Sequence, residues 1–404
     1  GRNDDVSNPG VEFKPPPPKR EIKISPETFV WPIYGFKAAR TRSLAASIGP
    51  PFKPLWLFNT NQLLEFSPIL VRGTLYVVRK DSRVYAIDAK TGRQKWTHKV
   101  GNLSAASPAY SNGKIFVVTL SGRMVAMNAK NGNIRWAMSL GSRSESSPLI
   151  LGKSVVFGSE NGTLYKLRQS NGSVQWTYRA GGAIKGGPAY ADGKIYVGAY
   201  GGTVHAVRAG NGSPVWRAST SGARFGFGSG NFYATPAVAY GRVFIGNTDG
   251  KVYSFATSNG RLAWSKSTGA FVYGAAAVDN VEGVGPTVFV GSYDRNLYAL
   301  NARTGAVRWS HYSGGKISGA PTVIGKFVYF STIDTTNTYG LSTRSGQRVF
   351  ARSSGAYNPA ISDGRRIYLT GYESVSAYVQ RKDFKRQSLE RRAAIRKAKR
   401  ARRR

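Results

Sequence analysis

The segment AIDAKTGRQKW, residues 86–96, sets the pattern of the chain, because close copies recur along the sequence. It ends on Trp96, and the copies AMNAKNGNIRW (126–136) and LNARTGAVRW (300–309) also end on tryptophan. The aligned positions are Trp56, Trp96, Trp136, Trp176, Trp216, Trp264, Trp309 and Phe350. The first four intervals are 40 residues each, and later intervals are slightly longer. A period of this length predicts one repeat architecture rather than two or three ordinary domains.

Each unit contains four short strand patterns separated by glycine turns. Continuous apolar runs such as Ile195–Val197 are typical of a strand covered on both faces, and dipeptides such as Asn171-Gly172 are typical of tight hairpins. Four-stranded units that expose two apolar faces must cover each other in a ring. Residues 351–380 provide three strands, and the isolated segment Pro54–Leu57 provides a fourth. We therefore predict an all-β, eight-bladed propeller in which this N-terminal strand completes the last blade.

The repeated segment resembles the tryptophan-docking motif of the quinoprotein-type, PQQ-like propeller family, over about residues 31–380. The resemblance implies that each indole stacks on the glycine peptide of the neighbouring blade, which gives the eight aligned aromatic positions a structural role. It covers both dehydrogenases that hold pyrroloquinoline quinone (PQQ) and non-catalytic BamB-like propellers. The fold does not separate these two functions.

Residue content argues against catalysis. The chain has no cysteine, so the vicinal disulfide that flanks PQQ in many quinoprotein dehydrogenases cannot form. Seven of the eight tryptophans occupy docking positions. Only Trp31, which is expected outside the ring, remains as a platform on which PQQ could stack. The three histidines are isolated and show no metal-binding spacing. We predict no catalytic residues, no metal site and neither PQQ nor calcium, and keep a PQQ-dependent dehydrogenase as the alternative.

Positions that break the repeat are candidates for binding. Three residues before the proline or small residue that precedes each innermost strand, the units carry Glu65, Ala105, Glu145, Lys185, Tyr233, Tyr273, Ser318 and Ala356. We expect these side chains to surround the channel mouth on one face. The insertion at 221–233 should reach the same face, since functional loops often project from a rigid scaffold. The predicted binding residues are Arg224, Phe225, Phe227, Asn231, Tyr233, Tyr273, Glu65, Glu145 and Lys185. Ordinary rim variation, or a loop that plugs its own channel, remains the alternative.

Residues 381–404 hold 13 Lys and Arg and 2 acids, which is a net +11 of the formal charge of +38, and most of the remainder lies on the repeat body. The C-terminal segment is predicted to be a basic tail, partly helical or disordered, with Arg391, Arg392, Arg396, Lys397, Lys399 and Arg400 as candidate polyanion-binding residues. Residues 1–30 contain four consecutive prolines and are predicted to be a stiff linker. Because the chain starts at Gly1, we expect that an N-terminal signal or membrane anchor precedes it.

These observations predict a monomeric, non-catalytic, extracytoplasmic scaffold that is tethered to a membrane and binds an envelope protein or polymer. The alternative to a protein partner is polyanion binding through the basic tail, with nucleic acid or an anionic membrane surface as the partner.

Overall fold

The computed structural model describes residues 4–220 and 229–404, which form a closed ring of eight sheets, each built on four antiparallel strands. Each sheet is one blade. The first strands of successive blades contact one another around the axis, and the fourth strands form the rim. This arrangement confirms the predicted all-β, eight-bladed propeller.

Three N-terminal strands join blades formed by later parts of the chain: β1 (Val30–Trp31), β2 (Ser43–Leu44) and β3 (Phe52–Asn59). Blades 1 and 2 contain β4 (Ile69–Val71), β5 (Thr74–Val78), β6 (Arg83–Asp88), β7 (Gln94–Lys99), β8 (Ala109–Ser111), β9 (Lys114–Val118), β10 (Arg123–Asn128) and β11 (Ile134–Ser139). Blades 3 and 4 contain β12 (Leu149–Leu151), β13 (Ser154–Gly158), β14 (Thr163–Arg168), β15 (Val174–Arg179), β16 (Ala189–Ala191), β17 (Lys194–Ala199), β18 (Thr203–Arg208) and β19 (Pro214–Ser219).

Blades 5 and 6 contain β20 (Ala237–Ala239), β21 (Arg242–Gly246), β22 (Lys251–Ala256), β23 (Leu262–Ser267), β24 (Ala277–Val281), β25 (Gly285–Gly291), β26 (Asn296–Asn301) and β27 (Val307–Tyr312). Blades 7 and 8 contain β28 (Thr322–Ile324), β29 (Phe327–Ser331), β30 (Thr338–Ser342), β31 (Arg348–Arg352), β32 (Ala360–Ser362), β33 (Arg366–Thr370) and β34 (Ser374–Gln380). A short 3₁₀ turn (Arg381–Asp383) then leads into the helix α1 (Phe384–Ala401).

The ring closes in blade 8, where β3 pairs antiparallel with β34 and places Trp56 opposite Ala377. The predicted N-terminal strand thus supplies the rim of the last blade. Closure leaves no blade with an unpaired face, and the apolar core lies between neighbouring blades rather than at one centre.

The aligned tryptophans join adjacent blades. Each indole covers a glycine of the next blade, as Trp96 covers Gly132, and its N–H donates to a nearby carbonyl, as to Ala129 O at 3.0 Å. Equivalent bonds of 2.7–3.0 Å join the other six indoles to the following blades. A β-bulge beside the tryptophan recurs in these blades. Such a bulge changes the direction in which a neighbouring side chain on the outer strand points.

Phe350 occupies the eighth docking position, where the neighbouring blade differs from the rest. The outer two strands of blade 8, β34 and β3, come from opposite ends of the ring, so no glycine hairpin connects them. The Phe350 ring instead packs edge-on against Phe52 of β3, with centroids 5.5 Å apart, and against Tyr378 of β34 at 6.3 Å. An indole N–H would lack the partner that the hairpin carbonyl provides elsewhere.

The N-terminal segment was predicted to be a linker, but its described part packs against the ring. Ser7 forms a β-bridge with Trp264 at the rim of blade 5, and Val11 is buried in the core between blades 5 and 6. Lys19 forms an ion pair with Asp279 at 2.8 Å. Ile24 then packs against Gly364, at the turn of blade 8. The segment therefore runs along the face that carries the inner hairpin turns.

Helix α1 lies against blade 8 and extends over blade 1, so the tail is ordered from Phe384 onward. It lacks glycine and proline and is rich in Ala, Lys and Arg, which favour helix. Its buried Gln387 accepts a bond from Arg366 at 3.2 Å, and Arg391 donates to Thr91 O at 3.0 Å. No helix in the described ranges has the length and apolar character needed to cross a bilayer.

Candidate binding site at the channel mouth

The non-repeating positions come together at one end of the propeller axis. Seven of the eight line a single cavity of about 290 Å³: Glu65, Ala105, Glu145, Lys185, Tyr233, Tyr273 and Ser318. At the eighth position the cavity is lined by Tyr357 rather than Ala356. Each of these residues precedes an innermost strand, and those strands meet around the axis. The same position in every repeat therefore reaches the same cavity.

The floor of this cavity includes Tyr34, which belongs to residues 31–44, a segment that crosses the inside of the ring. Backbone N–H groups at the centre of innermost strands point to the axis and donate to carbonyls of this segment. These bonds of 2.8–2.9 Å are Tyr110 to Pro32, Tyr190 to Ala38, Val238 to Ala39, Val278 to Thr41 and Val323 to Arg42. The segment thus satisfies inner strand edges that would otherwise remain unpaired. We call residues 31–44 the axial segment.

Trp31 lies at the start of the axial segment, which corrects the expectation that it lies outside the ring. Through β1 it pairs with Leu70 on the inner side of blade 1. Its side chain is 2% exposed and stacks on Phe36, with centroids 4.5 Å apart. The indole is part of the packed core.

Arg40 fixes the axial segment to the ring. Its guanidinium is fully buried and donates to the carbonyls of Pro188 (2.9 Å), Ser147 (2.8 Å) and Tyr34 (2.6 Å). Burial, with the neighbouring charge of Arg42, lowers the pKa of Arg40 to about 9. One side chain therefore ties the axial segment to two adjacent blades below the cavity.

The charges in the cavity are two carboxylates and one ammonium. Lys185 contacts Glu160 at 2.5 Å and Glu145 at 3.7 Å, so its charge is compensated. The Glu65 carboxylate, in contrast, has no ion pair within 4 Å in the described ranges. Burial, followed by the nearby charge of Glu145, raises the pKa of Glu65 to about 7. The cavity thus presents an unpaired, partly desolvated acid inside a strongly basic protein.

Tyrosines dominate the remaining wall. The rings of Tyr233 and Tyr273 meet edge-on at 5.5 Å, and Tyr273 meets Tyr293 at 4.8 Å. Phe271, 48% exposed, packs against Tyr273 at 5.5 Å and extends this cluster to the surface. Phe271, Tyr293 and Tyr357 were not among the predicted binding residues. Phe271 and Tyr357 lie close in sequence to predicted mouth positions, whereas nothing in the repeat pattern marked Tyr293.

Comparison with known proteins places this architecture in a family. The profile described as "Outer membrane protein assembly factor BamB" matches residues 52–107, 80–185 and 179–383. The chain belongs to the BamB family. A search of curated proteins gave no sequence match.

Solved structures similar to this BamB-family chain include both scaffold and enzyme relatives. BamB from Moraxella catarrhalis is 19% identical, with a TM-score of 0.66 over 82% of this chain and 98% of that one. The quinohemoprotein alcohol dehydrogenase ADHIIG from Pseudomonas putida is 14% identical, with a TM-score of 0.77 over 88% and 80%. A europium-containing methanol dehydrogenase is 14% identical, with a TM-score of 0.72 over 88% and 98%. Identities this low establish the shared fold alone.

The insertion predicted to cover the cavity lies largely outside the described residues, and this includes Arg224, Phe225 and Phe227. Asn231 is described but does not line the cavity. Its side-chain oxygen accepts a bond from Gly201 N at 3.0 Å, and its own N–H donates to Thr248 Oγ1 at 2.8 Å. In this BamB-family chain Asn231 therefore holds two loops together at the mouth face.

The cavity residues do not fit PQQ as the dehydrogenases hold it. The sequence has no cysteine pair, and Trp31 is buried in the core against Phe36. The tyrosines meet one another edge-on instead of offering two parallel faces. In residues 4–220 and 229–404, no three His, Asp or Glu side chains lie close enough together to hold a metal ion.

The basic tail residues separate into one inward and several outward side chains. Arg391 contacts blade 1, whereas Arg392, Arg396, Lys397, Lys399 and Arg400 are exposed on α1. Between α1 and blade 1 lies a groove of about 560 Å³. It is lined by the cations Arg72, Lys90, Lys95 and Lys397 and by the carboxylates Glu27 and Asp88, among others. Part of the tail charge thus faces cations of the ring across this groove.

We expect Glu65→Gln to stabilise the protein at neutral and alkaline pH. The pKa of Glu65 is higher in the folded state than its ordinary value of 4.5. Ionisation of Glu65 therefore lowers the free energy of unfolding as the pH rises from about 4.5 to about 7. Glutamine avoids this cost. The free energy of unfolding should rise by about 1–3 kcal/mol at pH 8 and be unchanged at pH 4, measured by urea titration at both pH values.

Glu282→Gln is the matched control for this prediction, because Glu282 is an exposed carboxylate away from the cavity. It should show no gain that depends on pH. Equal stability of wild type and Glu65→Gln at pH 8 would mean that the Glu65 carboxylate is well solvated or paired.

Proposed function

We propose that this protein is a non-catalytic, extracytoplasmic scaffold that binds a protein partner through its channel-mouth face. The observation that carries the proposal is the recess at the mouth, where the unpaired Glu65 carboxylate lies among tyrosines beside the axial segment. Tyrosines in a partly desolvated recess are typical anchors of protein interfaces. Membership of the BamB family supports a scaffold role.

The partner surface that fits this recess carries a basic side chain beside an apolar one. A lysine or arginine would neutralise Glu65 and reverse the cost of its ionisation, and its stem would pack on the rings of Tyr233 and Tyr273. Phe271 offers an exposed aromatic contact at the edge. Outside the recess, the net charge of +38 favours a partner surface that is otherwise acidic.

The test is site-specific photo-crosslinking in the native envelope. A benzoylphenylalanine at position 271 should form a discrete adduct with one envelope protein. The same residue at Val174, which is 44% exposed on the rim of blade 3, is the matched control and should not form it. Adding Tyr273→Ala should reduce the adduct at position 271 at least fivefold, because truncation of a buried aromatic anchor costs more than 1 kcal/mol.

Two results would overturn the scaffold proposal. One is an identical set of adducts from positions 271 and 174, which would indicate nonspecific proximity. The other is turnover of an alcohol by the purified protein after addition of PQQ and calcium, followed by dye reduction. That activity would support the alternative, a PQQ-dependent dehydrogenase.

The groove between α1 and blade 1 favours a second candidate function, the binding of a phosphate-rich polymer. Cations on both walls, Lys90 on the ring and Lys397 on the helix, would contact phosphates from two sides. A 20-base-pair DNA serves as the polyphosphate probe, with affinity measured by anisotropy between 50 and 300 mM NaCl. Replacing Lys90 and Lys397 by alanine should lower the salt slope by about 2.

Lys153→Ala, an exposed cation in blade 3, is the control for this measurement and should leave the slope nearly unchanged. A slope that falls equally for Lys153 and for the groove residues would assign DNA binding to diffuse charge, and the groove would lose its role.

A further inference from the structure

Arg42, two residues after Arg40, is a buried cation without a counter-ion among residues 4–220 and 229–404. Its side chain is 3% exposed, and its backbone is in the left-handed region at φ 56°. Two backbone bonds hold it there: its N–H donates to Gly35 O at 3.1 Å, and its carbonyl accepts from Val323 N at 2.9 Å. The guanidinium carbon lies 3.6 Å from the centroid of the Tyr34 ring. Both the backbone and the ring contact thus fix the position of the charge.

Two of the three side-chain nitrogens of Arg42 have no partner in the described ranges. Its Nε and Nη2 are buried and have no hydrogen-bond partner in the described part of the chain, and no carboxylate there forms an ion pair with it. Arg40 differs, because its three nitrogens donate to carbonyls. A third buried arginine, Arg366, has Asp363 at 3.5 Å. Arg42 is therefore the unusual member of this group.

Two buried N–H donors without acceptors lower the stability of the folded state, and the contact of Arg42 with the Tyr34 ring offsets only part of this loss. The positive charge of Arg40 close by adds to the local potential. Burial therefore creates a small region of the ring interior that is electropositive, shielded from water and supplied with free N–H donors. These are the properties of an anion site.

A small cavity lies beside Arg42. Its volume is about 10 Å³, which is room for one water-sized particle. Besides Arg42 it is lined by Trp31, Ser67, Ser107 and Thr322, so residues of the axial segment and of several blades surround it. A sulfate, a phosphate or a carboxylate ligand is too large for this space.

We propose that a single chloride ion binds at this cavity as the counter-ion of Arg42, with a small outward shift of the lining side chains because chloride is larger than a water molecule. The anion accepts bonds from Nε and Nη2 and connects the axial segment to the first strands of the neighbouring blades. It thereby contributes to the stability of the floor of the channel-mouth cavity. This inference concerns the ring interior and does not depend on the proposed scaffold function.

Urea unfolding at constant ionic strength tests the proposal, with sodium chloride exchanged for sodium gluconate, whose anion is too large to enter. In the wild type, each tenfold increase of chloride above its dissociation constant should lower the unfolding equilibrium constant about tenfold. Arg42→Met should remove this dependence. Arg392→Met, which alters an exposed arginine on α1, is the matched control and should retain it.

A second measurement keeps the proposal testable if Arg42→Met does not fold. A crystal of the wild type grown in bromide should show one anomalous peak within 3.5 Å of Arg42 Nε or Nη2, by the ordinary distance of a charge-assisted bond to a halide. Chloride dependence that is equal in wild type and Arg42→Met would overturn the proposal. So would a bromide crystal without that peak, which would leave a water molecule as the occupant.

Discussion

Trp264→Ala should lower the free energy of unfolding by about 3–5 kcal/mol, the largest effect expected among the docking tryptophans. Trp264 is fully buried, whereas Trp96, at the equivalent place in blade 1, is half-buried. The difference arises from the N-terminal residues, since Ser7 bridges to Trp264 and Asn8 N donates to Ala263 O at 2.7 Å. Alanine would leave a cavity between two blades and remove the bond from the indole to Ala302 O.

Trp96→Ala is the matched control, because it removes the same side chain and an equivalent bond to Ala129 O. It should cost about 1–3 kcal/mol, since solvent already reaches part of the ring and less surface is lost from the core. Both values come from urea titrations followed by far-ultraviolet circular dichroism. Equal costs for the two variants would mean that the N-terminal residues do not cover Trp264 in solution.

Arg40→Met should also destabilise the protein by about 3–5 kcal/mol, although it replaces a buried charge by an apolar chain of similar length. Methionine would leave three buried carbonyls, those of Tyr34, Ser147 and Pro188, without the donors that now satisfy them. It would also release the axial segment from blades 3 and 4. We expect faster amide hydrogen exchange at Tyr190 and Val238, whose N–H groups donate to Ala38 and Ala39.

Arg143→Met provides the control for this experiment, because Arg143 is 62% exposed on the mouth face and its bond to Glu160 is 3.5 Å long. The cost should be less than 1 kcal/mol. Unchanged exchange at Tyr190 and Val238 in Arg40→Met would show that the backbone bonds alone hold the axial segment.

The candidate site was only partly accessible to sequence reasoning. Five mouth positions could be found because each occupies the same place in its repeat, and equivalent places in the repeats lie around the propeller axis. They are Glu65, Glu145, Lys185, Tyr233 and Tyr273. The role of Tyr293 could not be found in this way. It follows the second strand of blade 6, and its approach to Tyr273 depends on how adjacent blades tilt against each other.

The course of the N-terminal residues also required the tertiary structure. Residues 4–44 have no repeat and little local periodicity, and residues 1–30 were predicted to be a linker. They are ordered because the ring presents unpaired N–H groups on its inner strands and an uncovered tryptophan at blade 5. A segment whose partners lie more than a hundred residues away leaves no local signal of its fold.

The sequence by itself determined the ring, the number of blades and the place of closure. A tryptophan repeated about every 40 residues, with a glycine turn before it, allows each blade to cover only its neighbour, and a strand separated from its blade must return to complete one. The tertiary structure alone decided what fills the ring. The axial segment, the buried Arg40 and Arg42 and the unpaired Glu65 follow from contacts that form only after eight blades have enclosed a common axis.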